Sequence, residues 1–353
     1  MKKSVYFTIL CLTAALCFAG CGSDNSGNGN ISDNGYLSDN SLSEDALSGD
    51  SSQYTGGSEN ADGSNGENTG TANDSGNNAI DPPEPIEYTI SGNQTVRFSS
   101  YDLTDTYDEA SATLIQMSDM EVTITGAGAD IENNKIIIYT EGTYLLEGNL
   151  SNGQIYVNAG DRDKVHLVFN GIDIFCNTSA PVYIENADKT LITLAEGTVN
   201  TLTDSRAPLD DSANGCLYSK DDLTINGTGT LIVNGNYNNA ISCKDDLKIV
   251  NGTYQITAVN NGLKGNDSIA ILTCTMDIES MDDGCKVSND TDSDKGYLFI
   301  ADGIFNITAN DDCFQSTRLF VIQGGHVLAR CYGKLVNCDG YSEGAEEYID
   351  EWV

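Results

Sequence analysis

The sequence predicts an all-β chain wound as a right-handed parallel β-helix, a solenoid with capped ends. Three observations predict it. The first is a repeated phrase: Leu217-Tyr-Ser-Lys-Asp-Asp-Leu-Thr-Ile225 is echoed by Ile241-Ser-Cys-Lys-Asp-Asp-Leu-Lys-Ile249 and by Leu263-Lys-Gly-Asn-Asp-Ser-Ile-Ala-Ile271. The equivalent apolar positions Leu217, Ile241, Leu263, Cys285 and Phe314 stand 24, 22, 22 and 29 residues apart. So short a period, with no helix-length segment inside it, makes each unit a coil of short strands. The second is strand length: Ile136–Thr140, Ile155–Val157, Val165–Phe169, Ile172–Ile174, Val182–Ile184 and Leu191–Leu194 are brief β-branched or aromatic runs bounded by Gly, Asn or Asp. The third is the corner chemistry. Asn170-Gly171, Glu196-Gly197, Asn226-Gly227, Asn251-Gly252 and Asp302-Gly303 each precede a new strand, and glycine accepts the left-handed backbone a corner demands.

One coil cannot bury its own apolar face; stacked coils bury a continuous core. With neighbouring coils ~4.8 Å apart, residues 136–330 give about nine coils over roughly 40 Å. Residues 88–135 are expected to cap one end, and the segment after Gly325 to cover the other and shield its edge.

The chain starts with Met1-Lys-Lys3 and an apolar run to Ala19, which reads as a secretory signal over residues 1–20. Phe18-Ala-Gly-Cys21 has the form of a lipoprotein processing box, making Cys21 the expected lipidation site and the cell surface the expected location. The other reading is a plain secretory signal with an incidental cysteine. Residues 21–87 are rich in Ser, Gly, Asn and Asp, lack Lys and Arg, and read as a flexible tether ending in Pro82-Pro-Glu-Pro85. The folded domain is expected over 88–353.

The whole chain has 17 basic and 53 acidic residues, a net charge of −36. Without Lys2 and Lys3, and without the 13 acids of the tether, 15 basic and 40 acidic residues leave the domain near −25. That charge excludes nucleic acid and anionic membrane surfaces as partners and favours cations. Eight of the 11 cysteines lie in the domain without a Cys-x-x-Cys pair, which argues against zinc. Cys285 falls at an inward position. Cys331 and Cys338 are close enough in sequence for one local bridge.

Candidate chemistry sits in the corners. Asn238-Asn239, Asn260-Asn261, Asp282-Asp283 and Asp311-Asp312 all precede the inward residue of their coil. Stacked carboxylates ~5 Å apart repel unless a cation lies between them, and calcium takes six to eight hard oxygens. Asp282, Asp283, Asp311 and Asp312, with Asn260 and Asn261, are therefore candidate calcium ligands; solvated turns or an asparagine ladder are the alternative. The long coil adds Asp290, Asp292 and Asp294 at alternate positions, a calcium-loop spacing without an EF-hand's glycine or closing glutamate. The pairs Asp221-Asp222 and Asp245-Asp246 each follow a lysine and read as surface turns. Lys264 and Lys286 lie beside the acidic corner. A lysine near bound calcium could abstract the proton alpha to a uronic acid carboxylate; a surface lysine balancing acids is the plainer reading. Tyr183, Tyr218, Tyr237, Tyr254 or Tyr297 could stack sugars, whereas Trp352, the one tryptophan, lies in the tail and supplies no platform.

Glu141-Gly-Thr-Tyr-Leu-Leu-Glu-Gly148, Asn152-Gly-Gln-Ile-Tyr-Val157, Leu194-Ala-Glu-Gly-Thr-Val-Asn-Thr-Leu-Thr203, Asn261-Gly-Leu-Lys-Gly-Asn-Asp267 and Asp282-Asp-Gly-Cys-Lys286 occur in an order that resembles the bacterial carbohydrate-binding β-helix family of clostridial type. The resemblance spans roughly residues 112–325. It implies a right-handed parallel β-helix with bound Ca2+, a likeness to calcium-dependent pectate lyases, and binding of cellulose or acidic sugars such as polygalacturonate. The family's Asp-Gly-Ile-Lys corner is approximated at Asn261-Gly-Leu-Lys264 and Asp283-Gly-Cys-Lys286 but lost at Asp312-Cys-Phe-Gln315. The expectation is a lipid-anchored surface protein that binds extracellular polysaccharide without catalysis. The alternatives are a polysaccharide lyase using Lys264 or Lys286 as base, and a structural spacer or adhesin.

Overall fold

The computed structural model describes residues 81–205, 207 and 212–352. The expected signal, Cys21 and all but the last residues of the expected tether lie outside them. Among the described residues the chain is all-β with long parallel sheets, and its two helices have only four residues each.

Three parallel ladders carry the fold. The first runs through Lys135–Ile138, Gln154–Asn158, Val182–Asn186, Gly215–Ser219, Asn239–Cys243, Leu263–Gly265, Cys285–Val287, Phe314–Ser316 and Val336–Cys338. The second runs from the start of Lys164–Cys176 to Tyr341–Glu343, and the third from the end of that same strand to Ile349–Glu351. The chain visits the three ladders in turn and returns to each one. The register sets Leu217, Ile241, Leu263, Cys285 and Phe314 side by side.

Register makes the core repetitive. Leu167, Ile192, Ile225, Ile249, Ile271, Ile300 and Ile322 form one inward column of the second ladder. All are at most 1% exposed. Each such side chain contributes about 1.5–3 kcal/mol by leaving water. The five corner glycines Gly171, Gly197, Gly227, Gly252 and Gly303 all have positive φ, from 73° to 139°. At Gly227 a Cβ would also collide with the Leu194 backbone, so the corner admits no side chain.

The ends depart from expectation. Only part of residues 88–135 closes the first end. Strand β1 (Ile86–Ser91) pairs antiparallel with β2 (Gln94–Phe98), and this hairpin lies along the outer flank of the second ladder. Its Ile90, Val96 and Phe98 pack on Val250, Ala270, Phe299, Leu319 and Val321. The cause is an outward apolar stripe on those strands that water would otherwise wet. The end itself is finished by β3 (Thr113–Met117), β4 (Val122–Thr125) and β5 (Ala129–Glu132), whose antiparallel pairings break the parallel pattern. The segment after Gly325 covers the other end only in part, where Ala345 and Tyr348 of a four-residue helix pack against the core. The segment's strands extend all three ladders, so they themselves form the last edge. All eight described cysteines are free. The expected Cys331–Cys338 bridge is absent, and the Cys338 thiol donates instead to the Tyr341 carbonyl at 3.3 Å.

A buried ion triad fastens the hairpin. Asp102, fully buried in helix α1 (Ser100–Leu103), receives Lys189 at 2.7 Å, Lys248 at 3.3 Å and the Thr224 hydroxyl at 2.7 Å. Burial opposes its charge, but the two lysines prevail and hold the carboxyl well below its usual range. Next to it, His166 Nε2 shares a 2.7 Å hydrogen bond with Thr193, which donates to Asn226 Oδ1; the Asn226 amide donates to the Asp102 and Thr104 carbonyls. Burial pushes His166 down to about 4 from 6.5.

Asp102→Ala leaves two half-buried lysines without their partner. It should lower unfolding free energy by about 3–5 kcal/mol in urea titration; a loss below 1 kcal/mol, an ordinary surface effect, would show that the triad is not an anchor. His166 stays neutral in the folded chain while the unfolded chain protonates near 6.5. Its contribution is therefore present above that pH and lost as pH falls towards about 4, roughly 3 kcal/mol in all. His166→Gln should flatten the stability–pH curve over that interval.

Candidate functional site

The corner that leads from the third ladder into the first carries two columns of Asn and Asp. The inner column, Asn239, Asn261, Asp283 and Asp312, is at most 4% exposed. Each Oδ1 accepts the backbone N–H of its counterpart one coil on: Asn261 to Asn239 at 3.2 Å, Asp283 to Asn261 at 3.2 Å, Asp312 to Asp283 at 3.0 Å. Lys334 N–H continues the series onto Asp312 Oδ1 at 2.7 Å. These side chains satisfy backbone donors that the corner leaves unpaired. Asn261 is committed on both its atoms, since its amide also donates to Asn239 Oδ1. Asp312 is too, because Asn337 Nδ2 occupies Oδ2 at 2.7 Å.

The outer column changes character midway. Asn260 donates to Asn238 Oδ1 at 2.8 Å, a neutral amide pair. One coil on stands Asp282, and next to it Asp311. Oxygens of Asp282, Asp283 and Asp311 lie within 4.8 Å of one another, and this is the one such group of acids among the described residues. Asp283 is fully buried, Asp282 half-buried and Asp311 exposed, so the group opens to solvent on one side. Gly333 keeps it open: a Cβ there would come within 2.5 Å of Asp312 Oδ1 and 2.7 Å of Asp311 Oδ1. Three hard carboxylates in such a cradle suit a divalent cation. Lys286 competes for the place, with Nζ 2.7 Å from Asp283 Oδ2 and 3.8 Å from Asp282. Burial raises the Asp283 carboxyl, while Lys286 and the Asp312 N–H work against it.

The other candidates separate. Asp290, Asp292 and Asp294 are exposed and do not converge. Asn289 Oδ1 caps the N–H groups of Thr291 and Asp292, Asp292 Oδ1 accepts from Asp294 N–H, and the Asp290 and Asp294 carbonyls take Arg318 and Gln94. The loop thus holds itself by local turns. Asp246 and Asp267 share Lys295, at 3.2 and 3.5 Å. Burial and the neighbouring Asp267, Asp222 and Asp221 push Asp245 up to about 6.

Lys264 and Lys286 are in-register neighbours on the first ladder. Burial, then Lys286 beside it, pushes Lys264 down to about 8. Of the tyrosines named for stacking, Tyr183, Tyr218, Tyr254 and Tyr297 are buried. Tyr183 and Tyr218 pack edge-on against each other with ring centroids 5.0 Å apart. A different apolar edge flanks the acids. Val259, Met281 and Tyr332 each follow the in-register residues Ala258, Ser280 and Cys331, and are 52%, 66% and 84% exposed. Its signal in the sequence is an apolar residue immediately ahead of the Asn260, Asp282 and Gly333 corners; Asn310 takes that place ahead of Asp311.

A family model described as carbohydrate-binding domain-containing protein matches residues 132–347. A protein of that description from Acetivibrio thermocellus is 41% identical over 224 residues, covering 62% of this chain and 78% of the relative. A solved structure described as the polysaccharide lyase-like protein from C. thermocellum, gadolinium derivative, superposes with a TM-score of 0.67 and 37% identity, over 68% of this chain and all of that one. With its family model spanning most of the described fold, the chain belongs to the carbohydrate-binding domain-containing family.

Proposed function

We propose that this chain is a right-handed parallel β-helix that binds extracellular polysaccharide at the Asp282–Asp283–Asp311 corner with the help of calcium, held at the cell surface through a lipid on Cys21. The convergence of three carboxylates beside two in-register lysines carries the reading. Calcium, when bound, would supply positive charge to an acidic corner. Asp282, Asp283 and Asp311 would hold it, Lys286 would swing off Asp283, and Lys264 and Lys286 would then face an incoming carboxylate. A domain near −25 repels a uronic acid polymer, so a dication and the lysine pair offset that repulsion. Tyr332 and Met281 offer apolar surface for sugar C–H faces beside the charges.

Retention of the purified chain on cross-linked polygalacturonate is the test. Chelator should abolish it, and Asp282→Asn with Asp311→Asn should weaken it at least about tenfold, the effect of about 1.4 kcal/mol. Retention indifferent to chelator would sink the cation bridge.

The surroundings of Lys264 favour the lyase as a second reading: burial and the neighbouring Lys286 push it down to about 8, where a lysine can act as a base at modest alkalinity. That reading expects unsaturated, ultraviolet-absorbing products from polygalacturonate. Their rate would rise with pH through about 8 as Lys264 loses its proton, and Lys264→Ala would abolish it. Absence of such products from pH 7 to 10 leaves binding alone.

A further inference from the structure

The outward face of the third ladder is not occupied by any role described so far. Its strands present in-register polar side chains: Asn234, Thr257, Glu279 and Thr308 in one column, Gln255, Asp277 and Asn306 in the next. Two adjoining grooves of about 400 and 430 Å3 lie over this face. They share the in-register column Thr257, Glu279 and Thr308 and span the same coils, so they lie side by side and form one track that runs along the strand direction. One wall is Trp352. The tail is not a loose end: Ile349–Glu351 pairs with the third ladder, and the Trp352 N–H donates to the Ala329 carbonyl at 2.8 Å. The indole is 57% exposed and lines the same groove as Asp277 and Asn306. The reading of Trp352 as a tail residue without a platform fails here, because strand pairing brings the tail back onto the face.

We infer that this track is a second carbohydrate-binding face, for a neutral polysaccharide strand that stacks on Trp352. The inference rests on the family's carbohydrate-binding character but not on the cation corner. A sugar ring offers an apolar C–H face, which an exposed indole matches, and an edge of hydroxyls, which carboxylates and amides match by accepting and donating together. Asn306 Nδ2 donates to Asp277 Oδ1 at 2.6 Å, which presents an acceptor and a donor side by side. The charges that line the track are Asp277 and Glu279, so a uronate strand is repelled where a neutral one is not. An elongated, open track suits a polymer better than a small ligand. Beyond Met281 and Asn310 the track runs into Asp282 and Asp311.

Trp352 is the only tryptophan in the chain, so its fluorescence reports on this groove alone. Titrating the full chain with cellohexaose and with xylohexaose should give a saturable change in tryptophan emission for at least one of them, unaltered by chelator and by Asp282→Asn. Calorimetry should show Trp352→Phe binding that same oligosaccharide and Trp352→Ala binding it roughly tenfold or more weaker, with thermal melting unchanged in both. No emission change with either oligosaccharide, or Trp352→Ala binding as tightly as the parent, overturns the proposal. A response only to oligogalacturonate that chelator removes overturns the neutral assignment and leaves the cation corner standing.

Discussion

In-register parallel stacking places every side chain against its counterpart in the next coil. A column must therefore tolerate its own kind. Isoleucine does, and the column from Ile192 to Ile322 gains dispersion contacts at every step. Asparagine does too, since one amide donates where the next accepts, as between Asn239 and Asn261. Aspartate does not. Where the corner turns from Asn260-Asn261 to Asp282-Asp283 and Asp311-Asp312, negative charge accumulates that no partner of its own kind can neutralise. Chemistry concentrates at that change of residue type because the stacking rule is broken there.

Lys286 and the backbone N–H of Asp312 are the protein's own answers to that repulsion, each satisfying one oxygen of Asp283. Asp312 is satisfied by Lys334 N–H and Asn337, and so drops out of the set open to a ligand. What remains is asymmetric: one buried carboxylate tied to a lysine, and two that look outward. The same economy of charge recurs at Asp102, where two lysines meet a carboxylate under the hairpin. There the site is closed to solvent, and the result is adhesion between elements instead of an open corner.

The repeat and the register were legible in the spacing of Leu217, Ile241, Leu263, Cys285 and Phe314, since a fixed period leaves stacking little freedom. Which member of each Asn or Asp pair turns inward was not, because both residues of a corner look alike until the backbone N–H that needs an acceptor is known. The hairpin's flank position escaped for another reason. Ile90, Val96 and Phe98 read locally as strand, and local pattern does not name a packing partner. A signal was present all the same. Tyr297-Leu-Phe-Ile300 and Leu319-Phe-Val-Ile322 are unbroken apolar runs, where a strand with one wet face would alternate, and every residue of both is buried. The place of Trp352 is set by the pairing of Ile349–Glu351 with Val327–Ala329, a long-range register that no local pattern around the tryptophan announces.

The hairpin also decides where traction on the molecule is felt. Gln323 donates to the Thr89 carbonyl and Gln94 to the Asp294 carbonyl, so the first strands lie alongside the later coils, far along the chain from β3. A pull on the chain ahead of Ile86 enters the flank at that level, is shared with the later coils through the hairpin's own contacts, and meets the Asp102 ion pairs before it reaches β3. The hairpin is in mechanical terms a shackle. Strain applied from the amino-terminal side is absorbed by a salt-bridged clasp, while the stacked coils and the surfaces they display stay in register.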